Sequence, residues 1–255
     1  MGSKLKIKAW VKVAVILALL LSLFGFSNRK QADMRVPKSD VYVAQAYDNY
    51  FIDEKDVVAL MTLNGDEVLN EQAIKKLSFK ELENRIKQNL FVDDAEVYRD
   101  VKGVLYVRVQ QRKPLARIAR AGVTDFYLDE KGNIFPMSDK FTARVIIVNG
   151  AYVNTLLSKG FKKDKTTKPY LDFIKKVESD PFLSAQIHQL GIDALGRINM
   201  YQQVGGQVIE FGYPDDKMEE KFEKLKIFYE RILPVKGWNA YTKVNLNFDK
   251  QIVCE

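Results

Sequence analysis

The sequence has few of the residues from which enzyme centres are usually built. Its 255 residues include one cysteine, Cys254, and one histidine, His188. One cysteine excludes an intramolecular disulfide framework and a cysteine-based zinc site, and one histidine argues against a histidine-rich metal centre. No nucleophile stands at motif spacing from His188, and Gly205-Gly206 lacks the pattern of a phosphate-binding loop. The sequence therefore predicts no catalytic residue, no metal ligand and no cofactor, and we expect a protein that is not an enzyme.

Glycine and proline are also scarce, and the excess positive charge is concentrated at one end. There are 14 Gly and 7 Pro, while 47% of the residues are hydrophobic, so the chain should fold around a core. The formal net charge is +7, but residues 1–30 contain six basic residues and no acidic one. The rest of the chain is therefore close to neutral. It offers no domain-wide basic surface for nucleic acid.

An uncharged apolar run of fourteen residues, 13–26, follows four lysines. With Ala9, Trp10 and Val11 the run reaches eighteen residues, interrupted by Lys12. A helix needs roughly 20 apolar residues to cross a bilayer, so the run is slightly short. We predict a single membrane-spanning helix at residues 9–27, because a lysine can reach the headgroups and a tryptophan suits the interface. A cleaved signal peptide is the open alternative, since residues 25–27 loosely fit a cleavage site.

The apolar run has equal numbers of basic residues on its two sides, so this count does not set its orientation in the membrane. Four lysines precede the run, and four basic residues follow it: Arg29, Lys30, Arg35 and Lys38. The positive-inside rule therefore does not decide. A free amino terminus and four lysines within twelve residues resist translocation, so we expect the N-terminus inside and the bulk of the chain outside.

The segment after the linker has the pattern of a small β-α-α-β-β module. Residues 41–44 are β-branched and aromatic and predict a first strand. Asp53, with Asp56 three residues on, predicts a helix that starts there and runs to about Met61.

A second helix and two further strands complete this pattern. Ser78 and Glu81 form a capping box, and the recurrence of Leu82, Ile86 and Leu90 predicts one apolar helix face. Residues 95–99 and 104–109 have strand composition, with apolar residues alternating in the second run.

The second half of the chain, from residue 113, is predicted to be rich in strands. Six runs have strand composition: residues 117–120, 126–128, 145–148, 187–192, 198–202 and 207–211. A helix is expected at residues 169–178. A stronger helix should start at Asp215 or Asp216 and be ended by Pro234 and Gly237.

Residues 241–248 predict a last long strand with an unpaired edge. Tyr241, Val244, Leu246 and Phe248 provide its apolar positions. A short Ile252-Val253-Cys254 run follows it. A strand this close to the chain end is expected to have no later segment that covers it, so its backbone N–H and C=O groups should be free on one side. Two interpretations remain open: charged neighbours block this edge, or the edge is kept for a strand of a partner protein.

Five stretches follow one another in a distinctive order: residues 51–53, 111–118, 127–136, 207–212 and 238–254. Their sequences include Pro114-Leu115-Ala116-Arg117-Ile118, Leu128-Asp129 with Gly132, and Val244-Asn245-Leu246. In this order, behind an apolar anchor and a β-α-α-β-β module, they resemble the bacterial FtsQ/DivIB family of cell-division proteins. The resemblance covers nearly the whole chain.

This resemblance implies an α+β protein with one N-terminal transmembrane helix, a POTRA module and a larger, mixed, mainly antiparallel β domain with helices on one face. The expected divisions are a cytoplasmic tail at 1–8, the anchor at 9–27, a linker at 28–39, the POTRA domain at 40–112 and the β domain at 113–255. The expected location is the cell inner membrane, with the N-terminus cytoplasmic and the bulk periplasmic.

The resemblance also implies a scaffold role in cell division, with control of septal peptidoglycan synthesis. FtsB and FtsL type proteins would bind the β domain by strand addition, and other divisome proteins would bind the POTRA module. Carried onto this sequence, the expected partner-binding residues are Tyr241, Val244, Leu246, Asn247, Phe248, Gln251, Ile252 and Cys254.

Two other functions fit parts of the same pattern. An envelope chaperone or secretion component with a POTRA module would bind extended polypeptides broadly through the same edge-pairing physics. It would be expected to carry further POTRA repeats, which are not visible in this sequence. A cell-wall hydrolase would need a carboxylate pair or metal site, for which the sequence offers no ligand cluster.

Overall fold

The structure is a computed structural model that describes residues 39–44, 50–64, 78–101, 104–161 and 164–255. These residues form two compact units. The described part of the first is Ser39–Ala44 with most of Asp53–Gln110, and the second combines residues from Gln45–Ile52 and Gln111–Glu255. The predicted tail, the anchor and residues 28–38 of the linker lie outside the described residues. Within the described ranges, no helix is long and apolar enough to cross a membrane.

The first unit has the β-α-α-β-β order predicted from the sequence. Its elements are β1 (Ser39–Ala44), α1 (Glu54–Met61), α2 (Phe79–Lys87), β2 (Val92–Arg99) and β3 (Leu105–Gln111). The three strands form one sheet in the order β1-β3-β2, with β1 parallel to β3.

Helix α1 starts where its capping residues predict. The Asp56 amide donates to Asp53 Oδ1 and the Asp53 amide donates to Asp56 Oδ2, both at 2.9 Å. These two bonds satisfy two N–H groups that the first turn of a helix leaves without partners. Helix α2 starts in a similar way, with the Ser78 hydroxyl accepting from the Glu81 amide at 3.2 Å.

The apolar stripe of α2 packs into the core of this unit. Leu82 and Ile86 are fully buried, as are the alternating residues Leu105, Val107 and Val109 of β3. Leu90 was expected to continue the stripe, and this is wrong. The helix ends at Lys87, and the Leu90 side chain is 58% exposed beyond that end.

Substituting Asp53→Ala should destabilise the first unit by about 0.5–2 kcal/mol, because it removes the capping acceptor of α1. The free energy of unfolding, measured by urea titration with circular dichroism, tests this value. Glu54→Ala is the matched control, since Glu54 lies in the first turn of the helix and not at the cap. Equal losses in the two variants would contradict the capping role.

The second unit is built on one nine-stranded sheet. The first four strands are β4 (Pro114–Ile118), β5 (Phe126–Asp129), β6 (Ile134–Pro136) and β7 (Ile146–Asn149). The later strands are β8 (Ile187–Ile192), β9 (Ile198–Gln202), β10 (Val208–Gly212), β11 (Lys243–Asn245) and β12 (Val253–Cys254). Their order is β12-β11-β10-β9-β8-β7-β4-β5-β6. The pairs β4/β7, β7/β8 and β10/β11 are parallel and the others are antiparallel, so the sheet is mixed and mainly antiparallel.

The helices of this unit are α3 (Val153–Lys159), α4 (Lys168–Ser179), α5 (Pro181–Gln186), α6 (Met218–Ile227) and α7 (Leu233–Lys236). The Phe211 ring of β10 lies 4.7 Å from Phe173 of α4 and 4.9 Å from Phe222 of α6, centroid to centroid. Because both helices contact the same side chain, they cover the same face of the sheet. Short elements such as β6, α3 and α5 were not predicted.

Helix α6 begins later than predicted, and the helical segment ends at Gly237 as predicted but continues past Pro234. It begins at Met218 because Asp215, expected to start it, accepts a hydrogen bond from the Lys217 amide in the preceding turn. Pro234 was expected to end the helical segment. Instead a π-helical turn at Phe228–Ile232 leads into α7, and Pro234 lies at the start of α7. Proline is tolerated there because its missing N–H falls in a first turn.

Residues 50–52 belong to the second unit and pack into it. The Phe51 ring contacts three aromatic rings, those of Tyr127, Phe135 and Phe141, at centroid distances of 5.3–5.9 Å. The Phe51 and Ile52 amides donate to Gln111 Oε1 at 2.8 and 3.1 Å. These contacts give the 51–53 stretch a packing role.

Alkaline pH should weaken the second unit through Tyr170, whose buried hydroxyl donates to the Gly196 carbonyl at 2.7 Å. Burial raises the pKa of Tyr170 from 10.0 to about 12. A raised pKa means that the stabilisation is complete below about pH 10 and is lost as pH rises towards about pH 12. The unfolding free energy should therefore fall more steeply over this range in the wild type than in Tyr170→Phe. Equal slopes would contradict this assignment.

Candidate partner-binding edge of the large sheet

The large sheet ends at β12, and this corrects the prediction for residues 241–248. Only Lys243–Asn245 of that stretch forms a strand, β11, and it is paired on both sides, with β10 and β12. The expectation of an unpaired edge there was wrong because the chain turns back after Phe248 and the two-residue strand β12 covers β11. In the part of the chain that the structure describes, no strand pairs with the other side of β12.

The register shows which backbone groups of β12 face the free side. Glu255 and Lys243 exchange two hydrogen bonds, of 3.0 and 3.2 Å. Antiparallel pairs alternate between hydrogen-bonded and non-hydrogen-bonded residues, so the neighbouring pair of Cys254 and Val244 is not hydrogen-bonded. The N–H and C=O groups of Cys254 therefore point away from β11, toward the free side.

The structure separates the eight expected partner-binding residues into two sets. Val244 and Leu246 are fully buried in the core, so their side chains cannot reach a partner. Asn247 is used internally, since its Nδ2 donates to the Glu210 carbonyl at 3.1 Å. The other six are accessible, and Asn247 is among them despite this bond: Tyr241, Asn247, Phe248, Gln251, Ile252 and Cys254.

The two faces of the sheet differ beside this edge. On the helix-covered face, Tyr241, Ile252 and Cys254 pack against the hydrophobic core and remain partly exposed. On the open face, Glu210 accepts from Asn245 Nδ2 at 2.7 Å and lies 3.3 Å from Lys243 Nζ. A strand added to β12 would therefore meet apolar neighbours on one face and polar or charged neighbours on the other.

The connection between β11 and β12 is held to the rest of the unit by contacts that the sequence did not indicate. Lys224 Nζ of α6 donates to the Phe248 carbonyl at 2.7 Å. Gly212 has a φ of +81°, and a Cβ there would collide with Asn247 Oδ1. Neither contact has a motif signal, because the lysine is one of several on α6 and the glycine follows an ordinary strand pattern.

The ionisable groups at this edge keep their ordinary charge states at neutral pH. Burial raises the pKa of the Cys254 thiol, so the thiol is protonated at neutral pH and is a poor nucleophile. The hydrogen bond from Lys224 lowers the pKa of Glu220, and the bond to Asp249 raises the pKa of Lys217. Both shifts keep these ion pairs charged over the physiological range.

The residues around His188 do not have the arrangement of a catalytic site. His188 lies on β8 and lines a cavity of about 290 Å³ together with Arg144, Glu178 and Ser184. The Ser184 hydroxyl donates to the Pro181 carbonyl, so it is not oriented toward His188 as a nucleophile would be. Within the described ranges, no group of His, Cys, Asp and Glu residues is suited to hold a metal ion.

A small β-α-α-β-β unit followed by a large mixed sheet that ends in the short strand β12 defines a POTRA-type protein with an appended β domain. Comparison with protein families agrees, since a POTRA-like domain matches residues 37–110. The FtsQ/DivIB, C-terminal related family matches residues 113–255, which is more than half of the chain. The chain therefore belongs to the FtsQ/DivIB family, and the predicted membership is confirmed. This is a family of membrane-associated, non-enzymatic cell-division scaffolds. No curated protein matches the chain.

Substituting Gly212→Ala should destabilise the second unit by more than about 1 kcal/mol, because an alanine at positive φ is strained and its Cβ would displace Asn247 from the β11–β12 connection. Urea unfolding measures the loss. Gly122→Ala is the matched control, since Gly122 also has a positive φ, +72°, but a Cβ there meets open space. Equal losses would mean that backbone strain alone is responsible and that Asn247 needs no space at this position.

Proposed function

We propose that this protein is a single-pass scaffold of the bacterial cell-division machinery that receives an extended segment of a partner protein along β12. The partner would be a membrane-anchored division protein of the FtsB or FtsL type, and the complex would help to control septal peptidoglycan synthesis. The observation that carries this proposal is the free side of β12, where the N–H and C=O groups of Cys254 face outward.

A strand added at this edge could form only a few backbone hydrogen bonds with β12. One outward-facing residue offers two hydrogen bonds, and each contributes about 0.5–1.5 kcal/mol net. Backbone pairing alone would therefore give weak binding. The partly exposed Tyr241, Ile252 and Cys254 side chains supply apolar surface beside the edge, so partner side chains on that face would add affinity and choose the register.

Attachment of both proteins to one membrane would supply the remaining binding affinity. If residues 9–27 anchor this chain in the inner membrane and the partner is anchored as well, the second contact becomes intramolecular. Its effective concentration then reaches the millimolar range for short flexible connections. With the N-terminus cytoplasmic, both folded units would lie in the periplasm. The POTRA module would be left to contact other divisome proteins.

Substituting Cys254→Pro tests the edge directly, because it removes the outward N–H while every bond between β12 and β11 can still form. The full-length variant should retain its circular dichroism and lose about tenfold or more in partner affinity. The readout is co-purification of FtsB and FtsL type proteins from detergent-solubilised membranes, followed by titration of the recovered partner.

Cys254→Ala separates the backbone from the side chain, since alanine keeps the N–H. It should bind the partner more tightly than Cys254→Pro does. If a folded Cys254→Pro protein binds as well as the wild type, β12 is not the site. An unrelated extended peptide serves as a specificity probe, because comparable binding of that peptide would favour the chaperone function over a defined partner.

A further inference from the structure

Two lysines of helix α6, Lys221 and Lys224, are buried in the second unit, and Lys224 contacts the connection between β11 and β12. The Lys224 residue is 9% exposed, and its ammonium group lies 2.8 Å from Glu220 Oε1 and 2.7 Å from the Phe248 carbonyl oxygen. A buried ammonium is unfavourable unless charged and polar partners replace its water. Charge-assisted bonds of this length are among the stronger ones in proteins, so the position of Phe248 is tightly coupled to α6.

Phe248 lies in the connection that leads from β11 to β12. Residues 246–252 form this connection, and Lys250 within it has a left-handed φ of +55°. Strand β12 itself comprises only two residues. The backbone hydrogen bonds of so short a strand cannot fix its position by themselves, because each of them replaces a hydrogen bond to water and so contributes little net free energy. The position of β12 therefore depends on two other sets of contacts, the packing of Ile252 and Cys254 against the core and the contacts of the connection.

A second side-chain contact reaches this connection from Lys217, the residue directly before α6, and it is different in kind. Lys217 Nζ lies 3.3 Å from Asp249 Oδ1, and both side chains are more than half exposed. Exposed ion pairs contribute little to stability. Lys217 and Lys224 thus contact neighbouring residues of the same connection, one in solvent and one in the core. They form a matched pair for experiment.

We propose that Lys224 is a positioning residue that holds the β11–β12 connection against α6 and thereby keeps β12 docked on β11 with its outer side presented. The positioning role follows from the contacts alone. Its consequence for partner binding rests on the function proposed above.

The chain provides its own reporter for this role, because Cys254 is its single cysteine and lies on β12. The thiol is partly buried against the core, so release of β12 exposes it. We expect Lys224→Met to raise the rate of Cys254 labelling by a disulfide reagent about tenfold or more, since local opening free energy controls such access. Lys217→Met should leave the rate within about twofold of the wild type. Both variants are made in the full-length chain in detergent.

Amide hydrogen exchange and urea unfolding complete the test. The Val253 and Glu255 amides, which face β11, should exchange faster in Lys224→Met than in Lys217→Met. Unchanged labelling and exchange in a folded Lys224→Met protein would overturn the proposal. A labelling rate that rises only as much as the global unfolding constant would also overturn it, because β12 would then open only with the whole unit.

A second variant carries the test if Lys224→Met does not fold. Glu220→Gln leaves the lysine in place and removes the charge that stabilises it, so labelling should rise by a smaller factor. No rise in that variant would count against the proposal. Partner co-purification is scored separately: faster labelling with unchanged partner binding keeps the positioning role and contradicts the binding site on β12.

Discussion

The hydrogen bonds that Glu255 and Lys243 exchange determine which backbone groups the second unit presents at its edge. They fix the antiparallel register of β12 on β11, and through the alternation of such ladders they turn Cys254 outward. A shift of one residue would turn the outward groups inward and would move every side chain of β12 to the opposite face. The chemistry that the edge offers a partner is therefore set by one pair of residues and by whatever keeps them in register.

An edge of this size also limits the kind of binding that is possible. Most proteins protect long sheet edges, since an extended unpaired strand invites aggregation. A two-residue edge with one outward-facing residue is a short template for such pairing, and for the same reason it would not bind a partner tightly through its backbone. Under the proposed function, specific recognition would come from side chains such as Tyr241 and Ile252 beside it. Shared anchoring in a membrane would compensate for the small contact.

The sequence predicted which face of a strand is buried better than it predicted which strands lie on either side of it. The alternation at Val244 and Leu246 indicated that these residues share an apolar face, and both are fully buried. The same alternation fits an edge strand and an interior strand equally well, because periodicity reports which way side chains point and not what lies on either side of the backbone. A two-residue strand such as β12 has no period at all, so its pairing with β11 could not be read from the residues.

Helix starts could be predicted from the sequence because a capping residue and its partner are close together in the chain. Asp53 and Ser78 start helices as expected because their bonds reach three residues. The roles of Lys224 and Gly212 depend on residues 24 and 35 positions away, Phe248 and Asn247, and no local rule relates such pairs. Both contacts converge on the connection between β11 and β12. The position of the two residues of β12 thus depends on α6 and on the end of β10, which are distant from β12 in sequence. A partner that pairs with β12 would in turn favour the docked position, so binding and docking of the strand would stabilise each other.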